Sequence, residues 1–191
     1  MALQELYIVT GNSNKFKECK NYLDHALPEF RVEQKPLDLP EPQTLDIEEV
    51  AMVKAKAAWD HFKKPVLIDD GGFFLEEFPS FPGALSKYVF KGLGLEGFMR
   101  IAPVGTKCFF ETCIVYADGP DSLHLFKGKC KGTFVMRPDY KPNKEMPYRP
   151  LFQPDGSTKT LEELFGTPEF ETYHHRVMAL KKFVEWYKNR K

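Results

Sequence analysis

Two short stretches of this sequence combine residue types that can hold an anion, hold a divalent cation or take a proton from water. The first is Thr10-Gly11-Asn12-Ser13-Asn14-Lys15. It falls between an apolar run and a helix-like run, where backbone N–H groups and a helix N-terminus attract anions. Gly11 permits a tight turn, Asn12 tolerates a left-handed backbone, and Lys15 adds a positive charge. The stretch lacks the GxxxxGK[ST] spacing of a Walker A loop. A phosphate loop and an ordinary strand-to-helix connection capped by Asn both fit it. The second stretch is Asp69-Asp70, directly after the apolar Val66-Leu67-Ile68. Adjacent strand residues point to opposite faces, so one carboxylate can face a cleft while the other bonds a turn. Ligand sites in open α/β sheets lie at the carboxyl ends of strands. A carboxylate there can hold Mg²⁺ or accept a proton from an attacking water. The alternative is a pair of turn-forming Asp residues before Gly71-Gly72.

Other residues are ambiguous when taken singly. Glu41 lies between Pro40 and Pro42, which stiffen the backbone and hold one carboxylate in place; a solvated loop charge is the plain alternative. Lys54 and Lys56 fall in a helical run, and Lys87 follows Phe81-Pro82-Gly83. All three also read as surface residues. His174-His175-Arg176 opens the last helical run. Adjacent residues do not share a helical face, so paired metal ligation is disfavoured. His175 and Arg176 can donate to a carbonyl or a base edge, or serve as capping and surface groups.

The elements that must position these groups alternate. Leu6–Val9 reads as a strand, and Lys15–Leu27 as a helix with Phe16, Cys19, Tyr22, Leu23 and Leu27 at helical spacing. Phe30–Gln34 reads as a strand. Leu45–Phe62 reads as a helix with early acids and late lysines, which suits its dipole. Pro65–Ile68 is a buried-type strand ending in a tight turn at Asp69–Gly72. Ser80–Ser86 reads as a Pro/Gly loop, and Phe98–Ile101 as the end of a helix. Cys108–Tyr116 and Leu123–Lys127 form a hairpin about Asp118-Gly119-Pro120-Asp121. Residues 134–152 read as irregular, Leu161–Phe165 as a short helix, and His174–Lys188 as the closing helix. The pattern is α/β, with the hairpin and loops placed as a second lobe over a cleft.

The chain has 191 residues, 27 Lys plus Arg against 27 Asp plus Glu, and 42% hydrophobic residues including 17 Phe. One domain over 1–191 is expected, with a real core. A zero charge balance argues against a general nucleic-acid coat while leaving room for a local basic pocket. No apolar run reaches the ~20 residues that span a bilayer, so no membrane partner is expected. The first residues lack a secretory pattern, and the four cysteines form no CxxC pair. The cytoplasm is the expected compartment.

Taken in order, these pieces resemble the inosine triphosphate pyrophosphatase family over nearly the whole chain. Thr10-Gly11-Asn12 with Lys15 is similar to its T-G-N-x-x-K phosphate loop. Leu39-Pro40-Glu41 resembles its acidic metal loop, and Lys54-Ala55 its helix lysine. Val66–Asp70 resembles the acidic strand end before a Ser/Thr-Gly turn. Phe81-Pro82-Gly83 with Lys87 resembles P-G-x-x-x-K, Phe126-Lys127-Gly128 resembles F-x-G, and His175-Arg176 matches the end of S-H-R.

The resemblance implies a two-lobed α/β fold, with a long central mixed β-sheet flanked by helices and a cleft between the lobes. It implies a homodimer that uses Mg²⁺, with Mn²⁺ as an alternative, to hydrolyse ITP, dITP and XTP to the monophosphate and pyrophosphate. Asp70 would be general base and metal ligand, Glu41 would complete the metal site, and Asp69 would support it. The loop Thr10, Gly11, Asn12, Ser13, Asn14 and Lys15, with Lys54 and Lys87, would hold the triphosphate. Tyr148, Arg149, His175 and Arg176 would reach the nucleoside end.

The departures cluster in the base half. The family's F-G-[YW]-D-P reads Met146-Pro147-Tyr148-Arg149-Pro150, so Met stands for the stacking Phe and Arg for the acid. Its K-[NS]-x-x-S-H-R reads Phe170 to Arg176, with Phe170 for the lysine and His174 for the serine. Gly71 stands where the turn carries Ser or Thr. Phe170 and Arg149 are the residues expected to make good the lost ring and the lost cation. Two rival functions follow: a related pyrophosphatase with another base preference, and a weakly active nucleotide-binding protein.

Overall fold

The computed structural model describes residues 3–190. Strand β1 (Gln4–Ile8) leads through the Thr10–Asn12 loop into helix α1 (Ser13–Ala26), and strand β2 (Phe30–Gln34) returns beside β1. The parallel β1–β2 pair is the short edge of the sheet. Helix α2 (Ile47–Phe62) starts where Asp46 accepts the Glu48 N–H, with Glu48 and Glu49 in its positive first turn. It ends at Lys63, which takes a left-handed conformation (φ 49°).

Strand β3 (Val66–Leu75) differs from the sequence expectation. It does not stop at Asp69 but runs through Asp69-Asp70-Gly71-Gly72 as continuous strand. The reason is its partner: β5 (Lys107–Ala117) pairs with it antiparallel along the full run from Val66↔Ala117 to Leu75↔Cys108. Gly72 is required there by close approach, because a Cβ would lie 2.3 Å from the Gly83 carbonyl oxygen. The expected loop at Ser80–Ser86 is likewise structured. It divides into the end of strand β4 (Phe78–Gly83), paired with β3, and the start of helix α3 (Ser86–Ile101). The hairpin extends further than its sequence signal, because β6 (Leu123–Phe134) pairs with β5 to Lys107↔Thr133.

Residues 135–148 lack regular elements. A single 3₁₀ turn (Arg149–Leu151) leads into the short strand β7 (Phe152–Pro154), and helices α4 (Leu161–Leu164), α5 (Phe170–Tyr173) and α6 (His175–Lys188) complete the chain. The α5 turn has no counterpart among the expected elements. The sheet has seven strands in the order β2-β1-β3-β5-β6-β7, with β4 joined to β3. It is mixed, parallel at the β2-β1-β3 end and antiparallel beyond.

Three packed clusters cover it. One joins α1 and α6 to β1, β2 and β5 through Leu6, Leu23, Phe30, Tyr116, Leu180 and Phe183. A second joins α2 to the opposite face through Ala51, Ala55, Ile68 and Val115. The third wraps the far half of the long strands with α3, α4 and α5, using Phe73, Phe98, Phe134 and Phe152. The long β3, β5 and β6 thus carry one core at each end, and the chemistry-bearing residues lie where the two meet. Among the described residues no helix is long and apolar enough to cross a membrane.

Candidate active site

The loop Thr10–Lys15 is built by its own side chains. Thr10 Oγ1 accepts the Asn12 N–H at 3.1 Å. Asn12 Oδ1 accepts the N–H groups of Asn14 at 2.9 Å and Lys15 at 3.2 Å, capping α1. Asn12 is extended (φ −91°), so it caps the helix and makes no use of the left-handed region. Gly11 also keeps out of that region, and a Cβ on it would meet nothing within 4 Å. Its lack of a side chain is therefore not demanded by the turn. Ser13 opens α1 and is exposed. Gln34, which the sequence reading overlooked, donates to the Thr10 carbonyl at 3.0 Å and ties the loop to β2.

Asp69 and Asp70 sit side by side on β3 and face opposite ways. Asp70 faces α2. Lys54 Nζ donates to Asp70 Oδ2 at 2.8 Å and to Glu41 Oε1 at 2.6 Å, so one ammonium bridges two carboxylates. The Gly71 N–H donates to Asp70 Oδ1 at 2.9 Å. The Lys54 hydrogen bond is the leading reason that the Glu41 carboxyl is held below its ordinary range, and the charges of Lys87 and Lys15 act in the same direction. Partial burial pulls the Lys54 ammonium down, but Asp70 and Glu41 outweigh it and leave it raised. Lys15 reaches across to donate to the Asp69 carbonyl at 2.9 Å. Lys87 is exposed at the start of α3. Lys54 is thus the lysine in contact with Glu41, and the charges of Lys87 and Lys15 act on it from further away.

Asp69 does not join this group. Its side chain is fully buried on the other face, paired with Arg176 and 3.9 Å from Lys15 Nζ. Burial raises its carboxyl, and the charges of Arg176 and Lys15 overcome that and leave it lowered. A metal set of Glu41, Asp70 and Asp69 is thus not assembled; among the described residues no three His, Cys, Asp or Glu are grouped for a metal. The pair Glu41 and Asp70 does fit Mg²⁺ or Mn²⁺. Both are hard oxygen donors already drawn around one positive charge, and Mg²⁺ commonly takes one or two carboxylates and fills the rest with water and phosphate oxygens.

The base half is a buried ionic network around a residue no motif indicated, Glu18 on α1. Glu18 pairs with Arg176 and, at 3.3 Å, with Arg149. Arg149 also pairs with Glu162 of α4, and its guanidinium lies 4.2 Å from the Phe165 ring centroid. The order Glu162–Arg149–Glu18–Arg176–Asp69 alternates in charge from α4 to β3. Arg176, expected to be a surface or base-contacting group, is fully buried within it.

His175 is buried and stacks on Phe110 at 4.8 Å; His174 is buried and stacks on Phe170 at 4.3 Å. Burial lowers both imidazoles well below their usual value, so both are neutral. His174 Nε2 lies 3.4 Å from Glu18 without forming an ion pair. Tyr148 corrects the expectation that it holds substrate. Its ring stacks on Phe73 at 4.5 Å in the third core cluster, and its hydroxyl donates to the Ser86 carbonyl at 2.9 Å. Phe170 is committed to Phe165 and His174. Finally, Asn14 donates its side-chain amide to Glu145, so the segment before Arg149 touches the candidate phosphate loop.

Known proteins resemble this chain along nearly its whole length. The model of the Ham1 family matches residues 6–186. The dITP/XTP pyrophosphatase of Methanopyrus kandleri is 33% identical over 187 residues, covering 97% of each chain. The inosine triphosphate pyrophosphatase of Kluyveromyces lactis is 33% identical over 161 residues, covering 82% of this chain and 81% of that one. In structure, the Ham1 protein of Coxiella burnetii aligns with a TM-score of 0.77 at 19% identity, and that of Staphylococcus aureus with 0.74 at 20%; each alignment covers 98% of this chain. At that identity the likeness speaks for the fold.

Proposed function

The chain belongs to the Ham1 family, and on that premise we propose that it hydrolyses ITP, dITP and XTP to the nucleoside monophosphate and pyrophosphate. The observation that carries the reading is Lys54 bridging Glu41 and Asp70 beside the Thr10–Lys15 loop. A triphosphate needs several cationic partners, and Lys15, Lys54 and Lys87 supply three. Asp70 takes the proton of the water that attacks the α-phosphorus. The α–β anhydride bond breaks, and pyrophosphate leaves with the electron pair. The N–H groups at the start of α1 receive phosphate oxygens. Glu41 and Asp70 would hold Mg²⁺, which would offset the charge of the phosphates. Lys54, held between the two carboxylates, is the cation within reach of the phosphates. Hydrolysis requires that the water be oriented, and the Gly71 N–H fixes the Asp70 carboxylate for it.

A different base preference within the same chemistry is the second reading. It is favoured by Arg149, which brings a second guanidinium against Glu18 where the family pattern has an acid. The working state in this reading is a cytoplasmic homodimer, which light scattering of the purified chain and cell fractionation test. The central experiment is pyrophosphate release from ITP, dITP, XTP, the standard NTPs and modified pyrimidine triphosphates with Mg²⁺ or Mn²⁺. Preference for ITP, dITP or XTP is the expected result. Preference for another base moves the specificity, and turnover of none of them makes the chain a binding protein.

A further inference from the structure

Strand β2 ends on a residue that its pattern does not ask for. Phe30 and Val32 are buried in the cluster under α1, and strand alternation puts Gln34 next on the same face. An apolar side chain would suit that position. Gln34 is instead half-buried, and its carboxamide reaches past the end of β1, where Nε2 donates to the Thr10 carbonyl at 3.0 Å. The end of β2 is itself fixed there. Gln34 pairs in register with Ile8, and the Lys35 N–H donates to the Ile8 carbonyl at 3.0 Å.

The Gln34 bond sets the plane of one peptide. The Thr10–Gly11 peptide is trans, so its C=O and N–H point to opposite sides. The carbonyl is turned to β2, and the Gly11 N–H therefore faces β3. On that side the Val9 N–H donates to the Leu67 carbonyl at 3.1 Å. Two residues further along each strand, the same parallel ladder would join the Gly11 N–H to the Asp69 carbonyl. Lys15 Nζ holds that carbonyl instead, at 2.9 Å. The Gly11 N–H has no protein acceptor among the described residues. The N–H groups of Asn12, Asn14 and Lys15 are already taken by the side chains of Thr10 and Asn12. Gly11 is exposed, and a Cβ on it would meet nothing within 4 Å, so an anion reaches its N–H directly from solvent. In ladder position this donor stands opposite Asp69, the residue next to Asp70.

We propose that Gln34 is a positioning residue: by holding the Thr10 carbonyl on the β2 side, it aims the Gly11 N–H at a phosphate oxygen of the bound triphosphate. The proposal rests on the reading of the chain as a nucleoside triphosphate pyrophosphatase, which supplies the anion. Gln34 acts through Gly11 and not by touching substrate. Glycine restrains its own backbone least of all residues, so without the Gln34 bond the Thr10–Gly11 peptide turns more freely. A turned peptide presents its carbonyl to the anion, where two acceptors repel.

The test compares the parent chain with Q34M, G11P and Q34M/G11P. Each is measured for melting temperature, for the calorimetric Kd of inorganic tripolyphosphate, and for kcat and KM with ITP. Q34M keeps the length of the side chain and loses its donor. It is expected to melt within about 3 °C of the parent, since one neutral hydrogen bond is removed. Its Kd for tripolyphosphate and its KM should both rise about tenfold, with kcat nearly unchanged. G11P removes the N–H itself, so adding Q34M to it should cost nothing more. In the isotope-labelled parent, tripolyphosphate should move the Gly11 amide proton resonance downfield. Parent-like affinity in Q34M overturns the proposal. So does a full further loss when Q34M is added to G11P, or a Gly11 resonance that saturating tripolyphosphate leaves in place. The resonance needs no variant, so it decides even where Q34M or G11P fails to fold. If the parent turns over no nucleotide, the functional reading fails on that control alone, and tripolyphosphate still decides the role of Gln34.

Discussion

Asp69 and Asp70 are neighbours in the chain and opposites in the fold. Asp70 faces the α2 side of β3, held by Lys54 and the Gly71 N–H in a partly open setting. Asp69 is sealed on the other side against Arg176, whose second partner is Glu18. The two halves of the site inherit this difference. The half proposed for the phosphates sets lysine ammonium groups about two carboxylates, in contact with solvent. The base half is an alternating network, buried from Arg149 through Glu18 and Arg176 to Asp69, whose inner charges depend on one another and not on water. Strand alternation alone produces the division, since one residue step turns a side chain to the other face.

The sharpest way to break the comparison is D70N. If Asp70 is the base, turnover falls by about 10³-fold, the middle of the usual range for acid–base catalysis, while calorimetry still finds nucleotide binding. A loss below about tenfold removes Asp70 from that role.

R149D probes the other half. It places a third carboxylate between Glu18 and Glu162, and breaking a buried pair in this way costs about 3–5 kcal/mol. The midpoint of urea unfolding should drop accordingly, and the ranking of nucleotides should change. Unchanged stability would show that Arg149 is not part of a working network. Unchanged preference and rate would show that it does not replace the family's lost cation.

What was legible in advance divides along the same line. The elements around the phosphate half could be read because they are local: Asn12 caps the helix that follows it, and Asp46 with two glutamates announces α2. Spacing also separates Asp69 from Asp70. The continuation of β3 through Gly71-Gly72 could not be read, because it depends on ten-residue pairing with a strand about 40 positions later. Glu18 was equally silent. It is one of several charged residues on α1, and only the folded chain brings Arg149 and Arg176, 131 and 158 positions away, to its carboxylate. Tyr148 misled because its motif position suggested substrate, whereas its ring completes the stack on Phe73. His174 and His175 lacked any signal of burial beyond being neighbours of Arg176.

Those histidines give the base half a pH signature that the phosphate half lacks. Both are buried and neutral, with folded values well below the usual 6.5. The unfolded chain therefore binds protons that the folded chain refuses once the pH falls below about 6.5. The contribution is complete above that pH and is lost on acidification, at about 1.4 kcal/mol per pH unit for each histidine. Asp69, also lowered, adds to the loss only below about pH 3.9. Denaturation midpoints should hold from pH 8 to about 6.5 and fall steeply from there to pH 5, and H174Q should flatten that slope by about half. A flat profile in the parent chain would mean that the imidazoles titrate normally.

The smallest effects separate folding from binding inside the phosphate loop itself. N12A removes the cap that accepts the Asn14 and Lys15 N–H groups, at a cost of about 1 kcal/mol in stability. G11A should cost none, because a Cβ at Gly11 meets no protein atom within 4 Å and the backbone there is not left-handed. Restricting the unfolded chain should stabilise it by up to about 1 kcal/mol. The two variants therefore move melting temperature in opposite directions. Kinetics then assign the open space: a raised KM in G11A, with stability intact, gives that space to the substrate's phosphates. An unchanged KM makes Gly11 an ordinary connector and leaves the anion to the α1 N–H groups and the three lysines.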